Sequence, residues 1–414
     1  MPDRGHAQTL DDFVASACRD GLDAHEARLL ESQADSRAQA SRARLLPSLR
    51  ATAGYARNSE EARLAVPGMA PGEQTEIVIT PRDQLDASVG VAVPLVDIGA
   101  WRALSQSELA ADAQRERTEN AMGALRIDVT RAYHRLVAAE AVHASAERAL
   151  RVADRDVAFV EARRGAGLAT ELDVSRARTD RARARQTVLE SELEVGLARR
   201  SLESISGLRP RAVVPTETEP ASGPLSSWLA GTAALPAVRA ARLDREAADA
   251  VSSSAWSDLL PTLSASADYR ATNAAGFGSA TSWTAGVSAV WTLDFAKPAA
   301  IDQASDERAI AAVRAARAER AAADAITESW LRARALHARL AAARAEEAHA
   351  ARASELARAR HATGRATQLE LAQAERDAFA AGVSRIRAEA DLAVATTELR
   401  VRAARIPGCE GGAR

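Results

Sequence analysis

The stretch LLPSLRATAGY, Leu45 to Tyr55, returns as LLPTLSASADY, Leu259 to Tyr269, 214 positions later. A chain that writes one local pattern twice must solve one structural plan twice, which removes most single-core folds from consideration. Other pairs extend the repeat. GLATELDVSRARTD (Gly167 to Asp180) returns as GRATQLELAQAERD (Gly364 to Asp377), and VDIG (Val96 to Gly99) as LDFA (Leu293 to Ala296), both at a spacing of 197. The shorter spacing places about 17 extra residues of the first copy in 59–82, SEEARLAVPGMAPGEQTEIVITPR. Its prolines and glycines predict a loop, and the counterpart NAAGFGSATS is a short one. Residues 1–214 and 215–414 are thus expected to be two structural repeats of the same layout.

Each copy reads as helix, strand, loop, strand, long helix, tight turn, helix. The strands alternate with period two. Leu49, Ala51, Ala53 and Tyr55 share one face of the first, and Leu85, Ala87, Val89, Val91, Val93 and Leu95 one face of the second. In copy two the same rule groups Leu263, Ala265, Ala267 and Tyr269, and then Trp283, Ala285, Val287, Ala289, Trp291 and Leu293. Strands of roughly 9–11 residues suit a tilted crossing of a bilayer. Aromatics gather at their ends, and Tyr55, Tyr269, Trp283 and Trp291 are the candidates for the girdles of a membrane barrel. Two soluble hairpins packed on helices are the alternative, but no other apolar surface in the chain could cover four such faces.

The helical tracts are long. Residues 98–164 contain no proline and almost no glycine, and at 1.5 Å per residue they would span about 100 Å. Residues 168–206 reach only about 60 Å, and the helix at about 23–45 supplies roughly the remaining 35 Å. Copy two repeats this with 298–363 against 367–405 and 237–259. Aromatics are only 3% of the chain, and alanine and arginine dominate, with Lys297 the single lysine. Such sequence predicts long, closely packed helices that need neighbours to bury their seams. The formal charge of −2 argues against a polyanion-binding protein, and no nucleic-acid partner is expected.

No run of about 18 apolar residues predicts a spanning helix. The start, MPDRGHAQTLDDF, shows no apolar core of a signal peptide. Cys18 and Cys409 form no CxxC pair, so zinc and thioredoxin-like sites are unsupported, and Cys18 is a poor lipidation site. The histidines, at 6, 25, 134, 143, 337, 349 and 361, are scattered, and none forms HExxH. No phosphate-binding glycine motif occurs. The expectation is no enzyme, no metal and no cofactor.

The tight turns are the informative sites. Gly165, Gly167 and Gly364 stand where helices end, and Thr170 and Thr367 where the next ones begin. Two capped helical hairpins are the minimal reading.

With its duplicated LLPSL and LLPTL strand entries, its PLVDIG and WTLDFA strand exits and its GLATELDV and GRATQLEL turns, the sequence resembles the TolC-like outer-membrane efflux protein family over about 10–407. The resemblance implies a mainly α chain with a membrane β-barrel part. Long helical hairpins would form a periplasmic tunnel, and four strands per chain would make a twelve-stranded barrel in a homotrimer. It implies a passive duct in the outer membrane, extending into the periplasm, with a periplasmic adaptor and an inner-membrane efflux or secretion pump as partners and outer-membrane lipid around it. Gly167, Thr170, Asp173, Gly364 and Thr367 would form the adaptor-docking tips. Asp173, His361 and Arg365 would form the latch of the entrance, with Glu370 in its acidic ring. His361 stands where the family has a tyrosine, Arg365 is displaced by one position, and Gln373 replaces a further acid. A soluble coiled-coil scaffold is the rival reading.

Overall fold

The computed structural model describes residues 8–67, 74–214, 221–292 and 294–409. The first copy comprises α1 (Leu10–Asp20), α2 (Leu22–Ala43), β1 (Ser48–Arg57), β2 (Ala62–Pro67), β3 (Gln74–Thr80), β4 (Asp83–Val96), α3 (Ile98–Gly165) and α4 (Glu171–Ser206). The second comprises α5 (Leu225–Leu229), α6 (Pro236–Ser253), β5 (Thr262–Thr272), β6 (Thr281–Val290), α7 (Lys297–Ala362) and α8 (Gln368–Arg402). The expected long helices and four alternating strands form within a few residues of their predicted ends. Leu293, Gly68 to Glu73 and the repeat boundary at 215–220 lie outside the described residues.

The chain forms two compact units, each drawing on both halves of the sequence. One contains Glu31–Gln114 and Ala241–Ala315 and holds the sheets. Its main sheet has the order β1-β4-β5-β6, antiparallel throughout. β4 of the first copy thus pairs with β5 of the second, while β1 and β6 each keep one open edge. The segment 59–82 is a correction to the sequence reading. Instead of a plain loop, it contains the antiparallel hairpin β2–β3, pairing Leu64 with Ile77 and Val66 with Thr75. Arg63 bridges strands by an ion pair with Glu76 at 3.0 Å. The reason is local alternation in ARLAVP and QTEIVIT, which outweighs the proline and glycine between them.

The other unit contains Met1–Leu30, Arg115–Ala240 and Ala316–Arg414. Its largest core joins Phe13, Val14 and Ala17 of α1 to Val129, Tyr133 and Leu136 of α3 and Leu202 of α4. Helix α1 had no sequence-based assignment. It forms because Thr9 and Asp12 make a capping box and because residues 13, 14, 17 and 18 fall on one buried face. The second copy has a parallel arrangement, with Trp228 of α5, Val238 of α6, Ile326 of α7 and Leu399 of α8 clustered. Elsewhere the seams are built from alanine. Ala343 and Ala388 pack between Leu340 and Leu392, and Ala177 sits beside Val160 and Val174. Small side chains let the backbones approach closely, which explains how so few large apolar residues suffice.

Cys18 and Cys409 form a disulfide with their Cα atoms 5.9 Å apart. It fixes residues 406–409 to α1 and seats them on α3. Arg126 donates to the Pro407 carbonyl, and a Cβ on Gly408 would lie 2.4 Å from the backbone nitrogen of Gly123. Only glycine permits that approach.

Candidate functional site

Two regions carry the chemistry. The first is the four-stranded sheet. Its register aligns Leu49, Val91, Ala267 and Ala285 in one row, and Ala51, Val89, Tyr269 and Trp283 in the next. The opposite face aligns Arg50, Gly90, Asp268 and Thr284, and then Thr52, Ser88, Arg270 and Ser282. One face is therefore apolar and the other polar, which is what a strand between lipid and an aqueous lumen requires. The polar face is cross-linked: Thr52 and Ser88 hydroxyls lie 2.7 Å apart, and Arg270 pairs with Asp86 at 2.5 Å. Gly90 leaves room for Asp268, whose Oδ1 would lie 2.1 Å from a Cβ there.

The expected girdle residues are all strongly exposed, at 61% for Tyr55, 51% for Tyr269, 76% for Trp283 and 65% for Trp291. They fall into two bands. Tyr55, Tyr269 and Trp283 lie toward the strand ends joined by 58–82 and 273–280. Trp291 follows β6 at the opposite end, where its Nε1 donates to the Leu259 carbonyl at 2.9 Å. Among the described residues no helix is long and apolar enough to cross a membrane.

The second region is the pair of helical turns. Leu168 N–H donates to the Arg163 carbonyl and Gly167 N–H to that of Arg164, while Arg365 and Gly364 bond Arg360 and His361 in the same way. Both are Schellman ends, with Gly167 at φ +76° and Gly364 at φ +73°. Thr170 and Thr367 then cap α4 and α8 as the sequence suggested. Leu168, Leu172 and Leu369 are left exposed between them.

The four gate residues have other tasks within one protomer. The Asp173 carboxylate accepts from Thr170 N–H at 2.9 Å and from its hydroxyl at 2.7 Å, and these bonds hold Asp173 below the usual carboxylate range. Glu370 does the same for Thr367, at 2.7 and 3.2 Å, and is lowered for the same reason. His361 makes different contacts. Its ring is buried against Phe159 of α3, with centroids 5.8 Å apart, and Nδ1 lies 3.3 Å from the Ala366 carbonyl. Burial, and then the Arg163 charge, push its pKa down. Arg365 contributes its backbone N–H to the helix end. Among the described residues no hydrogen bond joins Asp173, His361 and Arg365 within this chain, and the entrance latch stands as an expectation. The acid at the third helical position is taken by the cap, and the imidazole by an aromatic seam.

Other histidines are seam residues. His134 is buried beside Tyr133 and drops to about 4 through burial, and His143 lies 2.9 Å from the Ser191 hydroxyl. Among the described residues no group of three or more His, Cys, Asp or Glu could hold a metal ion. Sequence reasoning missed two features, the Cys18–Cys409 bridge and a carboxyl pair, Asp156 with Glu375. Both join residues far apart in the chain, where no local periodicity points.

A family model described as outer membrane efflux protein matches residues 20–208 and 233–404. No curated protein matches the chain. Among solved structures, the Campylobacter jejuni CmeC outer membrane channel superposes with a TM-score of 0.79 at 15% identity, covering 95% of this chain and 85% of that one. The outer membrane protein VceC from Vibrio cholerae gives 0.77 at 18% identity, covering 95% of each. The Neisseria gonorrhoeae MtrE outer membrane channel gives 0.77 at 17% identity, covering 95% of this chain and 88% of that one.

Proposed function

Because the chain belongs to the outer membrane efflux protein family, we propose that it is a passive trimeric exit duct of the outer membrane. In this reading its helical hairpins reach into the periplasm and meet an adaptor protein, and an inner-membrane pump supplies the energy. The observation that carries the proposal is the open sheet. Four strands with one apolar face end in two unpaired edges, β1 and β6. Unpaired backbone groups are costly in lipid, so the edges must be closed by other copies. Three copies joining β1 to β6 make a ring of twelve strands with no edge left.

The turns fit the docking role by their chemistry. Gly167, Thr170, Asp173, Gly364 and Thr367 shape two rigid ends, and the exposed Leu168, Leu172 and Leu369 offer apolar contact. Glu370, like Asp173, is engaged in its helix cap, which leaves the Arg365 side chain as the candidate for links between neighbouring chains at the entrance.

The test is assembly and conduction. Cross-linking of the protein purified in detergent should plateau at three chains, and the trimer should conduct ions in planar bilayers. A stable monomer in aqueous buffer without detergent would favour the coiled-coil scaffold and remove the duct.

A further inference from the structure

The two hairpins of one protomer, α3–α4 and α7–α8, meet in a polar patch in the half of each next to its turn. Asp156 of α3 and Glu375 of α8 line one cavity within interaction range of each other. Two carboxylates this close in a partly buried site cannot both ionise freely, and one proton between them relieves the repulsion. Arg358 of α7 donates to Glu375 Oε1 at 2.9 Å, which leaves the proton to Asp156. The pair borders a cavity of about 500 Å³ that also receives Gln368 of α8 and Asp180 and Arg183 of α4. Asp180 is paired with Arg376 of α8 at 3.1 Å. Gln368 is buried, and its Oε1 finds no hydrogen-bond partner among the described residues. One helical turn from Asp156, Phe159 lies against His361 of α7, whose buried Nε2 also finds no such partner.

We propose that this patch is a proton-binding site, in which one proton shared by Asp156 and Glu375 holds the two hairpins together and its loss lets them part. The proposal rests on the duct reading only in taking these turns as the entrance.

The direction in pH follows from the surroundings. Burial, and then the Glu375 carboxylate, push Asp156 up to about 7, against the opposing charges of Arg358 and Arg155. The joined state therefore binds a proton that parted hairpins release. Its advantage is full in acid, falls as pH rises from the ordinary carboxylate range, and is gone above about 7. His361 acts oppositely. It faces Arg163 of α3 as well as Glu375, and its pKa is lowered from 6.5. Its share of the joined state's advantage is lost as pH falls from 6.5 through that lowered value. The hairpins are thus held best at mildly acid pH, between the two transitions.

The experiment is amide hydrogen exchange of the full-length protein in detergent, corrected for the intrinsic pH dependence, in peptides covering 150–165 and 354–376. Between about pH 6 and pH 8.5 exchange there should rise about tenfold in the wild type. Asp156→Asn is neutral and can still donate to Glu375, so its protection should stay flat over that range. His361→Gln should keep the rise between about pH 6 and pH 8.5 and lose the loosening on the acid side. Flat protection in the wild type, or an unchanged rise in Asp156→Asn, overturns the site. If Asp156→Asn does not fold, the infrared band of a protonated carboxyl in the wild type decides. It must titrate near pH 7 alongside the exchange step, and its absence overturns the proposal. Bilayer conductance is measured in parallel. A protection step in a protein that never conducts keeps the proton site and counts against the duct.

Discussion

Thr170 shows how much a single residue does at the turns. Its hydroxyl caps α4, and its backbone and side chain hold Asp173. Thr170→Ala should cost about 1 kcal/mol of stability, read by denaturant unfolding of the detergent-solubilised protein. The contribution of Asp173 to this cap is present above its ordinary pKa range and is lost as pH falls through its lowered value. The gap between the wild type and Thr170→Ala should therefore narrow in strong acid, while the bond from Asp173 N–H to the Thr170 hydroxyl keeps part of it open. Ala404 points the other way. It closes α8 with φ +51°, and the N–H groups of Ala404 and Arg405 bond the carbonyls of Val401 and Arg400. At Gly167, Gly364 and Gly207 the same left-handed position carries glycine. Ala404→Gly should therefore raise stability by about 1 kcal/mol in the same assay. The caps were legible in sequence because threonine and an acid three residues on declare them. The fate of Asp173 and His361 was not, because a cap and a gate ask for the same acid and only packing decides between them.

Among the elements, β6 offers the sharpest comparison. Ala285 lies on the apolar face and Thr284, its neighbour, on the polar face opposite Asp268. Ala285→Arg places a charge toward lipid and should cost up to about 2–4 kcal/mol, seen as lost trimer in outer-membrane fractions. Thr284→Arg meets Asp268 and should assemble normally. Equal behaviour of the two would mean that the sheet does not divide lipid from water. The hairpin β2–β3 is expected on the outer side, so a tag inserted after Gly68 should be labelled on intact cells. Strands β1, β4, β5 and β6 were legible because alternation is strict and each is bounded by turn residues. β2 and β3 were obscured by Pro67 and Gly68, which punctuate the middle of that segment and were read as describing all of it. Helix α1 was obscured by its shortness and by the acidic residues that cap it.

For the whole molecule, the duplication declared the plan, yet the two compact units each take segments from both copies. Sequence order did not foretell that division, because helices such as α3 contribute residues to both. The Cys18–Cys409 bridge spans a separation of 391 residues. Cys18→Ser or Cys409→Ser should lower unfolding stability by about 2–5 kcal/mol, and reduction of the wild type should reproduce the loss. A bond of this kind persists in an oxidising compartment such as the bacterial periplasm. It also changes what order means for this chain. With Cys18 and Cys409 joined, the covalent path through the two repeats is a ring, and a ring has a sequence of members but no first one. A circular permutant opened between the repeats, with a peptide linker beside the bridge, would read copy two before copy one. It would keep the pairing of β4 with β5 and both helical cores, now made by a chain that starts halfway round.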